Sequence, residues 1–135
     1  MFCLDTNIVI GAMNSRPPEL AGRIDEELEL GTRLLIPAIV IYELRYGIAK
    51  SDRREKSLAL LEAFLTARIE VVSFTETDAI EAGEIRAYLE KTGAPIGPYD
   101  LLIAAQARAR GAVLVTRKRR EFERVPGLMV TDWAN

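Results

Sequence analysis

The chain has 135 residues, 49% of them apolar, and its 18 basic and 20 acidic side chains leave a net charge of −2. That length fits one domain burying about two thirds of its unfolded surface, and the near-balanced charge gives no chain-wide signal for nucleic acid or membrane. The single cysteine, Cys3, excludes an internal disulfide framework, and the absence of histidine excludes Ser-His-Asp and Cys-His catalysis, histidine-ligated zinc and two-histidine ribonuclease chemistry.

Acid–base or metal chemistry near neutral pH therefore falls to carboxylates. Asp5 arrives before any apolar signal-peptide core could form, and the longest apolar run, LLIPAIVIY at 34–42, is too short to span a bilayer. A soluble, cytoplasmic protein is expected.

In chain order, residues 1–4 read as a short buried strand and 7–14 as a helix capped by Asp5 or Thr6. SRPPE at 15–19 turns into a second helix reaching about Leu30, with Gly31 past its end. Leu34 to Ile36 form the second strand, and Pro37 suits the first position of a helix running to about Lys50. An amphipathic helix follows from SDRREK, and IEVVSF at 69–74 is the third strand. TETDAIEAGEIRAYLEKTG has acids in its first turn and Gly93 at its end, both marks of a helix. The next helix starts at Pro98 and closes at Gly111, AVLVT at 112–116 is the fourth strand, and 128–133 holds a candidate fifth. Alternation of continuous apolar strands with helices predicts one α/β unit over 1–135, a parallel sheet of four or five strands with helices on both faces.

Three carboxylates stand out in this pattern. Asp5 lies among Phe2, Cys3, Leu4, Ile8, Val9 and Ile10, where an unpaired charge is costly, although a helix N-cap is the plain alternative. Glu43 falls on the apolar stripe of its helix with Ile36, Ile39, Val40, Leu44 and Gly47; a buried ion pair would also account for it. Asp100 suits the positive end of its helix, yet it shares a face with Ile103, Ala104 and Ala107. Carboxylates gathered at one place repel unless a cation joins them, and a hard divalent ion such as Mg²⁺ or Mn²⁺ suits oxygen donors.

These residues carry a resemblance. LDTN after the first strand, the lone glutamate in IVIYELRYG, PIGPYDLLIA and LVTRKRREFERVPGL resemble, in order and across nearly the whole chain, the PIN-domain ribonucleases, and among them VapC toxins of bacterial toxin–antitoxin pairs. REFERVPGL with the closing TDW is similar to the subgroup that cuts initiator tRNA in its anticodon loop. The resemblance implies a PIN-like, Rossmann-like sandwich and an endoribonuclease dependent on Mg²⁺ or Mn²⁺. It implies that Asp5, Glu43 and Asp100 are catalytic and bind the metal, that Thr6 and Asn7 orient Asp5, and that Thr116 lines the same site through its hydroxyl. It also implies a homodimer, and inhibition by a small VapB antitoxin that covers the active site. The chain departs from the family at Lys118, where Asn or Asp is usual, which puts a two-metal site in doubt.

Arg117, Lys118, Arg119 and Arg120, with Arg124 beyond them, form a basic run that reads as a phosphate grip beside an acidic site or as a solvated helix face; Arg16 could extend the grip. Attack by water, with no histidine, predicts 5′-phosphate and 3′-hydroxyl products. A haloacid-dehalogenase-like phosphatase would need an acid at position 7, where the chain has Asn7. The alternative from a different class is a catalytically silent PIN-like module that regulates through protein or nucleic-acid contacts.

Overall fold

A computed structural model describes residues 1–134; Asn135, the last residue of the single unit read from the sequence, lies outside the described residues. Five strands, Phe2–Leu4 (β1), Leu34–Pro37 (β2), Ile69–Val72 (β3), Val113–Val115 (β4) and Val130–Thr131 (β5), form one parallel sheet in the order β3-β2-β1-β4-β5. Seven helices among the described residues flank it: Thr6–Asn14 (α1), Pro18–Glu29 (α2), Ala38–Ala49 (α3), Arg54–Leu65 (α4), Glu76–Lys91 (α5), Pro98–Ala109 (α6) and Arg119–Phe122 (α7).

β1 is central. Phe2 pairs with Leu34 on one side and Val113 on the other, and Cys3, Leu4, Leu35, Ile36, Leu114 and Val115 are fully buried. Strands covered on both faces read as unbroken apolar runs, as these do. Burial pushes the Cys3 thiol up to about 12, with the nearby Asp5 and Asp78 adding to the rise and Arg110 opposing it. The thiol stays protonated and inert.

Several boundaries differ from the sequence reading. Pro37 is the last residue of β2, in register with Val72, and the N-cap of α3 rather than its first helical residue. Proline is tolerated there because a strand end need not donate a ladder hydrogen bond. β3 stops at Val72 rather than 74, since Ser73 accepts from the Arg110 guanidinium and Thr75 begins a capping box with Asp78. The basic run contains a one-turn helix, α7, fixed to the core by the fully buried Phe122. Gly111, at φ 65°, closes α6 in the left-handed conformation that glycine adopts without strain.

One buried ion pair ties α5 to α6. Arg110 donates to both oxygens of Asp78, at 2.7 and 3.1 Å, and also to the Gln106 carbonyl at 2.8 Å. No helix among the described residues is long and apolar enough to cross a membrane.

Candidate active site

The strand order reverses between β1 and β4, the chain leaving β1 toward β2 and β3 and later returning to place β4 on its other side. At such a switch the carboxyl ends of two neighbouring strands open a crevice where ligands bind. Asp5 follows β1 and Thr116 follows β4, so both stand at its floor.

Asp5 is 2% exposed, and both its oxygens are occupied. Oδ1 accepts from the Thr6 backbone N–H at 2.8 Å and Oδ2 from the Thr116 hydroxyl at 2.7 Å. Asp5 is the N-cap of α1, so the capping role and the role in the crevice coincide in one side chain. Burial is the main influence raising its pKa above the usual carboxylate range; the bonds from Thr116 and Thr6 pull it back, the charge of Asp100 raises it and Lys118 lowers it.

Glu43, from α3, accepts a hydrogen bond from the Thr6 hydroxyl at 2.8 Å. Thr6 thus holds two acids at once, one through its amide and one through its side chain. Asn7 is exposed and its side chain makes no hydrogen bond among the described residues, so it does not orient Asp5.

Asp100 sits in the first turn of α6, and its partner is the residue that broke the family pattern. The Lys118 ammonium lies 3.4 and 3.3 Å from its two oxygens. Partial burial would lower the Lys118 pKa, but Asp100 above all, with Asp5 and Glu43, raises it past its ordinary value. All three acids therefore share one electrostatic neighbourhood. A Cβ at Gly97 would lie 3.3 Å from Asp100 Oδ2, so this glycine keeps room beside the carboxylate.

Among the described residues, no three acidic or sulfur side chains close into a finished cation cage. The donor set nevertheless suits a hard divalent ion: every candidate ligand is a carboxylate oxygen, and Mg²⁺ retains several waters rather than requiring an all-protein shell. That a lysine ammonium is drawn against Asp100 shows that the crevice attracts positive charge.

The sequence reading missed the two tyrosines at the rim. Tyr42 and Tyr99 are each the neighbour of a site acid, and their rings stand 5.3 Å apart at 53° with their hydroxyls 3.3 Å apart. Both are about half exposed, with faces on which nucleobases can stack. Adjacency to Glu43 and Asp100 was the only signal for them in the sequence. Within the basic run, Arg117 and Arg120 are exposed and make no ion pair or hydrogen bond among the described residues, whereas Arg119 pairs with Glu123 at 3.1 Å and Arg124 donates to the Pro95 carbonyl. Arg16 lies past the far end of α1, whose nine residues span about 13 Å, and so away from Asp5 at the start of that helix.

The PIN domain family model matches residues 2–128. The chain belongs to the PIN-domain family. A tRNA(fMet)-specific endonuclease VapC from Salmonella typhimurium is 44% identical over 133 residues, covering 98% of this chain and 97% of the relative. Ribonuclease VapC2 from Rickettsia felis is 38% identical, with 98% of each covered. Among solved structures, VapBC2 from Rickettsia felis bound to a DNA fragment from its promoter superposes with a TM-score of 0.91 at 36% identity, covering 98% of both chains. The DNA-bound VapBC of Salmonella typhimurium gives 0.89 at 42% identity, covering 98% of this chain and 97% of that one. This PIN domain is a VapC-type endoribonuclease, in a family whose nucleases generally depend on divalent metals.

Proposed function

We propose that this PIN domain acts, over 1–135 as a single unit, as the toxin of a toxin–antitoxin pair, hydrolysing RNA with Mg²⁺ or Mn²⁺ held by Asp5, Glu43 and Asp100. The observation that carries the reading is the Thr116–Asp5–Thr6–Glu43 chain of hydrogen bonds at the switch point, with Asp100 in the same field. When bound, the metal supplies Lewis acidity at the phosphodiester and a more acidic water for attack. The protein's own share is positional. Thr116 and the Thr6 amide fix the Asp5 carboxylate, the Thr6 hydroxyl fixes Glu43, and Gly97 keeps space open beside the Asp100 carboxylate that Lys118 holds. Arg117 and Arg120 are available to contact phosphates along the strand, contacts that position RNA without reading it. The exposed faces of Tyr42 and Tyr99 offer stacking for unpaired bases beside the scissile bond.

The preferred substrate is initiator tRNA, cut in its anticodon loop; tRNA(fMet) is the substrate in the names of the Salmonella and Shigella relatives. The regulator is a VapB-type antitoxin, the partner present in the VapBC complexes this fold resembles, and we propose in addition that the toxin itself works as a homodimer. Incubation of the purified protein with total RNA, followed by sequencing of 5′-phosphate ends, tests the reading. Cuts concentrated in one tRNA loop, dependent on Mn²⁺ or Mg²⁺ and blocked by the co-expressed antitoxin, are expected. Cleavage that persists undiminished in excess chelator would refute the metal assignment.

Thr116→Val tests the positioning role. Thr116 is fully buried, and its hydroxyl also accepts the Lys118 backbone N–H at 3.0 Å. Its removal strands one donor and one acceptor, which costs about 1–3 kcal/mol of stability. Mn²⁺ affinity and cleavage should each fall by about ten- to a hundredfold, while Thr116→Ser retains most of both. Titration of Mn²⁺ into the two variants checks this.

A further inference from the structure

Lys118 is held at both ends of its length. Its backbone N–H rests on the Thr116 hydroxyl at 3.0 Å, and that hydroxyl donates to Asp5 at 2.7 Å. Its ammonium reaches across the crevice to both oxygens of Asp100, at 3.3 and 3.4 Å. The lysine thus bridges the two acids that flank the switch point. Its side chain is 42% exposed whereas that of Asp100 is 15% exposed, so the carboxylate has one protein cation beside it and the cation has solvent into which it can swing.

We propose that Lys118 is a resident counter-cation of the crevice, seated on Asp100, and that a divalent ion gains this carboxylate only by displacing the ammonium. The inference rests on the reading that Asp5, Glu43 and Asp100 are the metal ligands. An ammonium donates hydrogen bonds and has no lone pair, so it neutralises one charge without becoming a ligand. Two cations cannot both sit against Asp100 without repelling each other, and the flexible four-carbon stem of lysine lets the weaker partner leave. The metal-free protein thereby keeps its acids partly compensated, and metal occupancy becomes a competition within the molecule. An Arg in the same place would tighten that competition, because its fork engages both carboxylate oxygens at once.

Calorimetric titration of Mn²⁺ alone, without RNA, into the full-length wild type, Lys118→Met, Lys118→Gln and Lys118→Arg tests this. Loss of a partly exposed pair worth up to about 1 kcal/mol predicts that Mn²⁺ Kd tightens about fivefold in both Lys118→Met and Lys118→Gln. Lys118→Arg should bind Mn²⁺ no more tightly than wild type. In an Asp100→Asn background, Lys118→Met should tighten Kd less than it does in the wild type, since the ammonium acts chiefly through that carboxylate; an equal tightening in both backgrounds overturns the seat on Asp100. Equal Mn²⁺ affinities in wild type, Lys118→Met and Lys118→Gln overturn the proposal while leaving the metal site standing. No Mn²⁺ binding in any of the four proteins overturns the ligand assignment itself, a distinct failure.

Discussion

Asp5→Asn should reduce RNA cleavage by at least about a thousandfold and, in metal-free buffer at neutral pH, should raise the melting temperature of the protein. The first half follows from what the carboxylate offers. It is buried at the junction of β1 and β4, and removing a preorganised charge from such a site costs about a hundred- to a thousandfold even where it stabilises charge only indirectly. The second half follows from its pKa, raised chiefly by burial and further by Asp100. A carboxyl whose folded pKa is raised binds its proton more tightly in the native state. Its contribution to stability is greatest below the ordinary carboxylate range and is lost as pH rises through the raised value. Ionising the group therefore strains the apo fold. Asparagine lifts the strain and can still accept from the Thr6 amide, which preserves the helix cap. The gain should shrink as pH falls through the raised value and be gone below about pH 4, where the carboxyl is neutral in the folded and unfolded chains alike. Mn²⁺ should restore the difference from the other side, raising the wild-type midpoint and leaving the variant unmoved. Scanning calorimetry with and without Mn²⁺, beside a cleavage assay, reads all of this. An Asp5→Asn protein that cuts RNA at the wild-type rate would end the assignment.

The largest loss of stability is expected outside the three site acids, in Arg110→Met. Asp78 is 1% exposed, and burial alone would push its pKa up. The paired guanidinium of Arg110, together with hydrogen bonds from Thr75, outweighs that and holds the carboxyl below its usual range. Stability from a depressed carboxyl is present above the unfolded pKa and lost as pH falls through the folded one, so this pair should begin to fail only below about pH 4. Removing the arginine leaves a buried, unpaired charge and frees the Ser73 and Gln106 carbonyls. A cost of about 3–5 kcal/mol is expected. Asp78→Asn combined with Arg110→Met should cost less than Arg110→Met alone. Urea titration at pH 7 measures both, and equal losses in the single and the double variant would show that the charge is not what the arginine compensates.

The contrast between these two acids explains what was legible beforehand. Asp5 and Asp100 were visible because each interrupts an apolar pattern at an element end, and Glu43 because it falls on the apolar stripe in the middle of its helix. Asp78 was not, because an acid in a first helical turn is so well explained by the dipole that no second partner is sought. The parallel α/β architecture was readable from strands without polar alternation, but the strand order was not, since it depends on contacts between segments remote in sequence. Pro37 shows the same limit at one residue: helix-start propensity and the sheet both claim it, and pairing of Pro37 with Val72 decides for the sheet. Tyr42 and Tyr99 were overlooked because exposed aromatics carry no periodic signature. The Lys118–Asp100 contact joins residues 18 apart, and the sequence could mark the lysine as unusual without saying where its ammonium rests.

The placing of β1 at the centre of the sheet also bears on how such an enzyme is made. β1 leaves the ribosome well before β4, since the Thr116 hydroxyl that completes the Asp5 site is 111 residues further along. At about 5–20 residues per second, roughly 6–20 s of translation separate the two. During that interval the nascent chain carries Asp5, and later Glu43, without the neighbouring strand that forms the crevice. Assembly of a dangerous activity is thereby deferred until the fourth strand has been made, and a message cut or stalled before that strand yields a fragment that lacks half the floor of the site.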